Sequence, residues 1–274
     1  MTLKDFYPMK ENLTLLEHTG TTPTNADNIL RIAMDVGEQM VRCGAEISRV
    51  EDTVTRITKA YGAHHVEIFA IQSLIIAAIR MEDGEYSSQI RRIDSSSNDL
   101  YRIEIYNAIS RKICKEKTPL CEVDKMLREA KNKKPYPKYV CALSSAIATG
   151  AFALFFGGDM MDALLAAIIG IIIFAIDLIP FGQMNRLAKT VMQSFVGGTL
   201  TYLGVAIGLG HNVAMIMIGT IMILIPGLSF GTAFRDLFCG DFLAGTLRTV
   251  QCFLAALMIA AGYLLSMFFV GGIL

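Results

Sequence analysis

Charged and polar residues interrupt an otherwise apolar part of the chain between Met222 and Arg248. Proline removes a backbone donor and glycine relaxes the backbone, so Pro226-Gly227 predicts a break in a membrane helix. Charged side chains beside a broken helix at membrane depth are typical of transporter solute and ion sites. The residues expected to line such a pathway are Pro226, Gly227, Ser229, Arg235, Asp236 and Asp241. This stretch therefore predicts a transport subunit.

Three of these residues offer different chemistry. A guanidinium presents paired donors to a carboxylate, so Arg235 is a candidate for holding a solute carboxylate. Asp236 and Asp241 are candidates for binding a solute amine or carrying a coupling proton. The alternative for Arg235-Asp236 is an anchor at the cytoplasmic membrane interface, and the sequence leaves both hypotheses open.

Asp177 is a further candidate, near the end of another apolar run and just ahead of Pro180. An acid at this depth is costly unless it is paired, hydrated or protonated. The segment DLIPFG at 177–182 also echoes ILIPGLSFG at 223–231, and repeated proline-interrupted helices are a pointer to transporter sites. Asp177 and Pro180 belong either to the pathway or to the hydrated interface.

The N-terminal half carries a smaller motif on a predicted helix, formed by Gly44, Arg49 and Glu51. These charged side chains can pair or bind a ligand, and a solvated helix face explains them equally. His64-His65 does not predict a metal site, because adjacent strand residues point to opposite faces. The sequence shows no catalytic constellation, metal motif or ATP-binding loop. We therefore expect no enzyme activity, no cofactor and no metal, and coupling to a proton or solute gradient.

The charges divide the chain into two bodies. Only nine of the 50 charged residues follow Lys138, and 53% of all residues are hydrophobic. The predicted fold class is an α-helical polytopic membrane protein of about five transmembrane helices, preceded by a small cytoplasmic α+β domain. We expect a flexible tail over 1–24, the cytoplasmic domain over 25–138 and the transmembrane domain over 139–274. Zero net charge without a basic-aromatic stripe argues against a nucleic-acid partner.

Hydrophobic periodicity predicts the elements of the front domain. Helices are expected from Thr24 or Asn25 to Gly44, from Ile47 to Tyr61, from Ser97 or Asn98 to Ile113 and over 122–131, and strands over 66–71, 73–81 and 87–93. Asp83-Gly84 is a strong hairpin signal between the last two strands.

Five apolar runs follow a basic linker, and they predict the membrane topology. The runs cover about 139–156, 161–179, 191–209, 212–225 and 245–271. With the front domain inside, Arg186, Lys189, Arg235 and Arg248 fall in inner loops, while the outer loops carry no Lys or Arg. The expected topology has five spans, a cytoplasmic N-terminus and a periplasmic or extracellular C-terminus.

Two segments resemble the threonine/serine exporter family. Arg42 to Glu51 is similar to the family's Gly-Ala followed by Arg-Val-Glu. Ile225-Pro226-Gly227, Arg235-Asp236-Leu237, Gly240-Asp241 and Gly245 are similar to its Pro-Gly, Asp-Leu and Gly signature. The resemblance covers nearly the whole chain after residue 25, and within the family it points to the longer, YjjP-like subunit of the split members.

The resemblance implies a secondary exporter in the bacterial inner membrane. Its solutes would be amino acids of the threonine/serine type or a dicarboxylate such as succinate. Full-length members continue into a second membrane domain of about four spans, so the resemblance implies a small second membrane subunit (YjjB-like). The expected partners are therefore a small polar or anionic metabolite, membrane lipid, and that subunit or further copies of this chain. The alternative is a membrane-tethered sensing or assembly subunit that regulates a partner transporter.

Overall fold

The structure, a computed structural model, describes residues 25–133, 136–179 and 185–272. The tail predicted over 1–24 and the candidate Pro180 lie outside these ranges. The front domain contains α1 (Asn25–Arg42), α2 (Ile47–Ala60), β1 (Ala63–Ile71), β2 (Leu74–Met81), β3 (Tyr86–Arg92), α3 (Leu100–Glu116) and α4 (Leu120–Asn132). The second half contains α5 (Lys138–Phe155), α6 (Met160–Leu178), α7 (Arg186–Ala206), α8 (Val213–Leu224), α9 (Gly227–Phe238) and α10 (Phe242–Ser266), which continues as a π-helical turn over Met267–Gly271.

The front domain is an α+β unit built on a three-stranded antiparallel sheet in the order β1-β2-β3. The predicted Asp83-Gly84 hairpin is confirmed, with Gly84 at φ +91° and the Met81 N–H donating to the Glu85 carbonyl at 2.8 Å. Alternate residues of β2, including Ile75 and Ile79, are buried. The apolar faces of α1 and α2 complete the same core, as their helical spacing predicts.

The second half is helical throughout the residues described. Within those residues, α5, α6 and α10 with its π-helical turn are each long and apolar enough to cross a membrane. The bent pair α8–α9 makes a possible fourth span. The helix α7 is long but opens with Arg186, Lys189 and Gln193, which lower its hydropathy. The structure therefore supports a membrane protein with three or four candidate spans, and the count of five stays a prediction.

Small residues let these helices approach closely. An added Cβ on Gly198 of α7 would lie 2.0 Å from the Ser266 hydroxyl, and one on Gly262 of α10 would lie 2.5 Å from the Val191 carbonyl oxygen. Polar side chains between the helices bond one another, as the Thr220 and Tyr263 hydroxyls do at 2.8 Å. Such close contacts replace the apolar driving force that helices lack in lipid.

The predicted break is confirmed at Pro226, where α8 and α9 meet at a bend of 54°. The helix α8 has 12 residues and spans about 18 Å, which is short of a hydrocarbon core of about 30 Å. The equally long α9, inclined by the bend, brings the pair to about 29 Å along the α8 axis. With α8 along the membrane normal, the last turn of α9 therefore lies close to the membrane interface.

Candidate functional site

The two sequence segments singled out above meet where the front domain contacts the membrane helices. The loop between α1 and α2 packs against α9 and the start of α10. The contacting groups are Ala45, Glu46 and Ile47 on the loop side and Arg235, Asp236 and Arg248 on the helix side. We call these six residues the junction cluster, and the end of the helix bundle that carries them the near end.

Asp236 lies at the centre of the junction cluster with no exposed surface. Its Oδ1 atom accepts a hydrogen bond from the backbone N–H of Ile47, the first residue of α2, at 3.2 Å. The first N–H groups of a helix have no partner within it and carry partial positive charge, so a carboxylate is stabilised there. Asp236 of α9 thus caps a helix of the front domain.

Arg248 of α10 is the counter-ion of Asp236. Its Nη1 lies 3.7 Å from the Asp236 Oδ2, and its Nη2 donates to the Ala45 carbonyl at 3.2 Å. The arginine is only 7% exposed. No described residue donates a hydrogen bond to the Asp236 Oδ2 atom. A buried carboxylate oxygen without a donor is costly, so this position is suited to a proton, an ammonium group or water.

Arg235 occupies the rim of the junction cluster. Its Nη1 lies 3.0 Å from Oε1 of Glu46, and 60% of its side-chain surface is exposed. The neighbouring contacts also join the two halves of the chain: the Asn98 amide donates to the Ser229 hydroxyl at 3.0 Å, and the Gln72 amide donates to the Ala244 carbonyl at 2.7 Å. The predicted site residues Ser229, Arg235 and Asp236 therefore all contact the front domain.

A second acidic group lies beside the cluster. Asp241, between α9 and α10, has a buried Oδ2 atom that accepts no hydrogen bond from the described residues. Glu51 of α2 accepts the Ala70 N–H at 2.8 Å. Burial raises the pKa of the Glu51 carboxyl above its ordinary value, and the negative charge of Asp241 raises this pKa further. The structure thus brings Glu51 of the front motif towards Asp241 of the membrane motif.

Glycine and proline set the local geometry of this site. Gly44 has φ +85°, and an added Cβ would lie 2.6 Å from the Asn98 Oδ1 atom. A side chain at Gly245 would meet Leu237 Cγ at 2.6 Å, so α9 and α10 can pack here only because this residue is glycine. At Pro226 the chain turns, with the Gly227 N–H donating to the Ile225 carbonyl at 2.8 Å.

Two other predicted site residues do not join the cluster. Asp177 lies in the last turn of α6, with 62% of its side chain exposed, and pairs with Lys189 Nζ at 3.0 Å. This geometry favours the hydrated-interface alternative for Asp177. Arg49 is exposed on α2 and makes no ion pair within the described residues, which favours a solvated face for that member of the front motif.

The opposite end of the bundle, the far end, holds a polar cluster that the sequence analysis did not single out. Asp162 of α6 is 2% exposed, and its carboxylate accepts the backbone N–H groups of Asp159, His211 and Asn212 at 3.2, 2.7 and 3.0 Å. The His211 ring contacts the Asp159 carboxylate. Ligand atoms of Asp159, Asp162 and His211 lie within 4.8 Å of one another. Because three amides already occupy Asp162, the cluster is best described as a tie between two loops.

Arg248 and Glu46 were also missed as site residues. A basic side chain inside an apolar segment is a functional candidate by default, so Arg248 carried a usable signal. Glu46 and the Ile47 N–H carried none, because their partners lie almost 200 positions away and only packing brings them together. The separation between Ile47 and Asp236 is 189 residues.

Comparison with known protein sequences covers both of these segments. A sequence profile of the family described as "Putative threonine/serine exporter" matches residues 31–270. A relative from Klebsiella aerogenes, named "Probable succinate transporter subunit YjjP", is 21% identical over 243 residues, which is 87% of this chain and 93% of the relative. The search of solved structures gave no match. Because the profile covers both segments of the site and most of the chain, the protein belongs to the threonine/serine exporter family.

Proposed function

We propose that this chain is a subunit of a secondary exporter of small carboxylate metabolites in the bacterial inner membrane. Family membership and the candidate spans support a membrane transporter. The name of the Klebsiella relative adds succinate to the candidate solutes, beside threonine and serine. The sequence has no ATP-binding loop, which favours coupling to a gradient.

The distribution of basic residues supports the orientation. Arg186 contacts the Ser96 carbonyl at 3.3 Å, and Arg235 and Arg248 contact the loop between α1 and α2, so these cations lie at the near end. The far-end loops at 156–159 and 207–212 contain no Lys or Arg. By the positive-inside rule the front domain is cytoplasmic and α5 to α10 make five crossings, with the bent pair counted as one.

The observation that carries the proposal is the buried Asp236 in the last turn of α9, the second half of the broken α8–α9 span. Its Oδ2 atom lacks a hydrogen-bond donor among the described residues, and Arg248 lies beside it. In the proposed mechanism this oxygen accepts a coupling proton or the amine of an amino acid. Either event weakens the attraction to Arg248 and to the start of α2, so the junction cluster loosens and α9 can move about the Pro226 bend.

Arg235 is the proposed contact for the solute carboxylate. In the structure Glu46 supplies a carboxylate to Arg235, so it occupies the place that a solute carboxylate would take. The Arg235 side chain is 60% exposed while that of Glu46 is only 19% exposed, so the guanidinium remains open to a solute carboxylate from the solvent side. Asp241 lies on the same side and is a second candidate for the amine or proton.

The Klebsiella relative is named a transporter subunit, and this supports a partner for the present chain. We propose that the partner is a small second membrane subunit or further copies of this chain. Large apolar side chains along α10, including Phe253, Leu257 and Leu264, are exposed and available to lipid or to such a partner.

A second candidate function is a membrane-tethered sensing or assembly subunit. One observation favours it: the polar groups of the membrane helices at the junction cluster are bonded to the front domain rather than open to a solute. Arg248 donates to the Ala45 carbonyl, Arg235 pairs with Glu46, and Asp236 accepts from the Ile47 N–H. In this case the front domain binds a metabolite, and the junction cluster transmits this binding to a partner subunit that carries out transport. Transport that persists in a complex whose copy of this chain carries Asp236→Asn would favour this second function.

The deciding experiment measures efflux. Cells are loaded with labelled threonine, serine or succinate. Efflux is then compared between cells that express this chain alone, cells that express a candidate small membrane partner alone, and cells that express both. Asp236→Asn is expected to abolish efflux at unchanged membrane abundance. Asp177→Asn is the matched control, since it removes an exposed acid at the same end of the bundle. Normal efflux from Asp236→Asn would remove Asp236 from the mechanism.

A further inference from the structure

A charged cavity of about 320 Å³ lies on the front domain between α1 and α4. This volume is at the lower end of the range for small-molecule sites. The lining residues are Arg31, Asp35, Gln39, Asp124, Leu127, Arg128 and Lys131. Leu127 is the only apolar side chain among them, so the lining suits a small and strongly polar ligand rather than an aromatic one.

The acids of this cavity are already neutralised by arginines. Arg31 binds both carboxylate oxygens of Asp124, at 3.1 and 2.9 Å, and also contacts Asp35 at 3.3 Å. Arg91 lies 3.7 Å from the other oxygen of Asp35. A bidentate pair of this kind is strong and fixed in geometry. The acids therefore leave little capacity for a cationic ligand.

Two further cations, both on α4, line the same cavity; the charge of Lys131 acts on Asp35 only from beyond ion-pair distance. Arg128 and Lys131 are three residues apart, so their side chains are neighbours on the helix surface. Neither forms an ion pair within 4 Å in the part of the chain that the structure describes. With Arg31, Asp35 and Asp124 included, the lining carries three positive groups and two negative ones. The lining therefore has a net positive charge, which favours an anionic ligand.

We propose that the cavity between α1 and α4 binds a small anion carrying two or more negative charges, such as a di- or tricarboxylate or a phosphate. Arg128 presents its planar guanidinium to one carboxylate or phosphate edge, and Lys131 binds a second anionic oxygen. Gln39 supplies a neutral amide that can donate to the ligand. The site is separate from the junction cluster and does not depend on the transport proposal.

The test measures binding to the full chain in nanodiscs of neutral lipid, by titration calorimetry with succinate, citrate and inorganic phosphate. We expect saturable binding of at least one anion that weakens as salt is raised. Arg128→Gln and Lys131→Gln should each weaken it about tenfold, as expected for the loss of one charge-assisted hydrogen bond. Lys125→Gln is the matched control, because Lys125 is an exposed cation of α4 outside the lining.

Further variants keep the test decisive. Arg128→Lys retains the charge and should recover part of the affinity, whereas a fold defect would not be rescued in this way. Thermal unfolding checks that each variant folds, as expected for exposed side chains. Three results would overturn the proposal: no saturable binding of any of the three anions, unchanged affinity in the Arg128→Gln/Lys131→Gln double variant, or binding seen only when the nanodisc contains phosphatidylglycerol.

Discussion

Asp236 of α9 accepts a hydrogen bond from the backbone N–H of Ile47, so a residue of the membrane half caps a helix of the front domain. The contact joins positions 189 residues apart and is buried on both sides. Any movement of α9 about Pro226 must therefore break this bond or carry α2 along. The predictions below test this arrangement and its surroundings.

Arg248→Met is expected to destabilise the protein strongly, because it leaves the buried Asp236 carboxylate without its counter-ion. Removing one partner of a buried pair typically costs about 3–5 kcal/mol. The double variant Asp236→Asn/Arg248→Met should recover much of that loss. Unfolding of the detergent-solubilised chain, analysed as a double-mutant cycle, measures both effects.

Arg235→Gln is the control for this cycle, since the Arg235 side chain is 60% exposed whereas Arg248 is buried. It should lower the free energy of unfolding by less than Arg248→Met does, because water solvates the exposed guanidinium and weakens its ion pair. Equal stability of the Arg248→Met and Arg235→Gln variants would contradict the buried pair.

Gly44→Ala should destabilise the front domain for two reasons. Its φ of +85° is strained for a residue with a side chain, at a cost of about 1–2 kcal/mol, and the new Cβ would lie 2.6 Å from Asn98. Gly84→Ala isolates the backbone strain from the close contact, because φ is +91° at Gly84 and no atom lies within 4 Å of the added Cβ. The midpoint of thermal unfolding should therefore be lower for Gly44→Ala than for Gly84→Ala. The same midpoint for both would argue against a close approach at Asn98.

Gly245→Ala is expected to push α9 away from α10, because its Cβ would meet Leu237 at 2.6 Å and the Ala233 carbonyl at 2.9 Å. Overpacking of this kind costs about 1–3 kcal/mol. Gly231→Ala on the same hairpin meets no atom within 4 Å and should stabilise α9 by up to about 1 kcal/mol. Paired spin labels on α9 and α10 would report the separation, and an unchanged distance in Gly245→Ala would contradict the prediction.

The far-end tie should depend on pH. The hydrogen bond to Asp159 raises the pKa of His211 above its ordinary value of 6.5. The stabilisation that the protonated ring gives the tie is therefore complete below pH 6.5, and it is lost as pH rises through the raised pKa. The Asp162 N–H and the contact with His211 lower the pKa of Asp159 below 3.8, so its contribution is present above 3.8 and is lost as pH falls through the lowered pKa. The tie is therefore strongest between about pH 4 and pH 6.5.

Hydrogen exchange of the loop amides measures this dependence. The wild type should show greater protection at 207–212 at pH 5.5 than at pH 8, after correction for the intrinsic pH dependence of exchange. His211→Gln should remove that difference. Equal corrected protection at both pH values in the wild type would show that the ring does not hold the loop.

Local patterns in the sequence predicted most of the fold. The hairpin at Asp83-Gly84, the end of α1 near Gly44 and the break at Pro226 each rest on the backbone preference of one or two residues. The helix α9 itself was not foreseen, because its 12 residues mix Arg235 and Asp236 with phenylalanines in a stretch that resembles a connecting loop. The first residue of α10 is Phe242 rather than Gly245 for the same reason.

The site was predicted only as a set of residue types. Pro226, Arg235, Asp236 and Asp241 were named from their position beside an apolar run, but their partners depend on long-range packing. The sequence analysis could not show that Glu46 pairs with Arg235, or that Lys189 of α7 pairs with Asp177 of α6. Burial decides which acid is structural and which is hydrated, and burial is a property of the assembled helices.

The carboxylate of Asp162 fixes two far-end loops through three amide hydrogen bonds. Because those loops join α5 to α6 and α7 to α8, Asp162 ties these four helices together at the far end, whereas α9 is held at the near end by Asp236 and by its packing against α10. In the proposed mechanism, proton or amine binding at Asp236 loosens the near end while this tie holds, so we expect the first opening to be towards the front domain. A cysteine cross-link across the far-end loops should leave that inner opening intact.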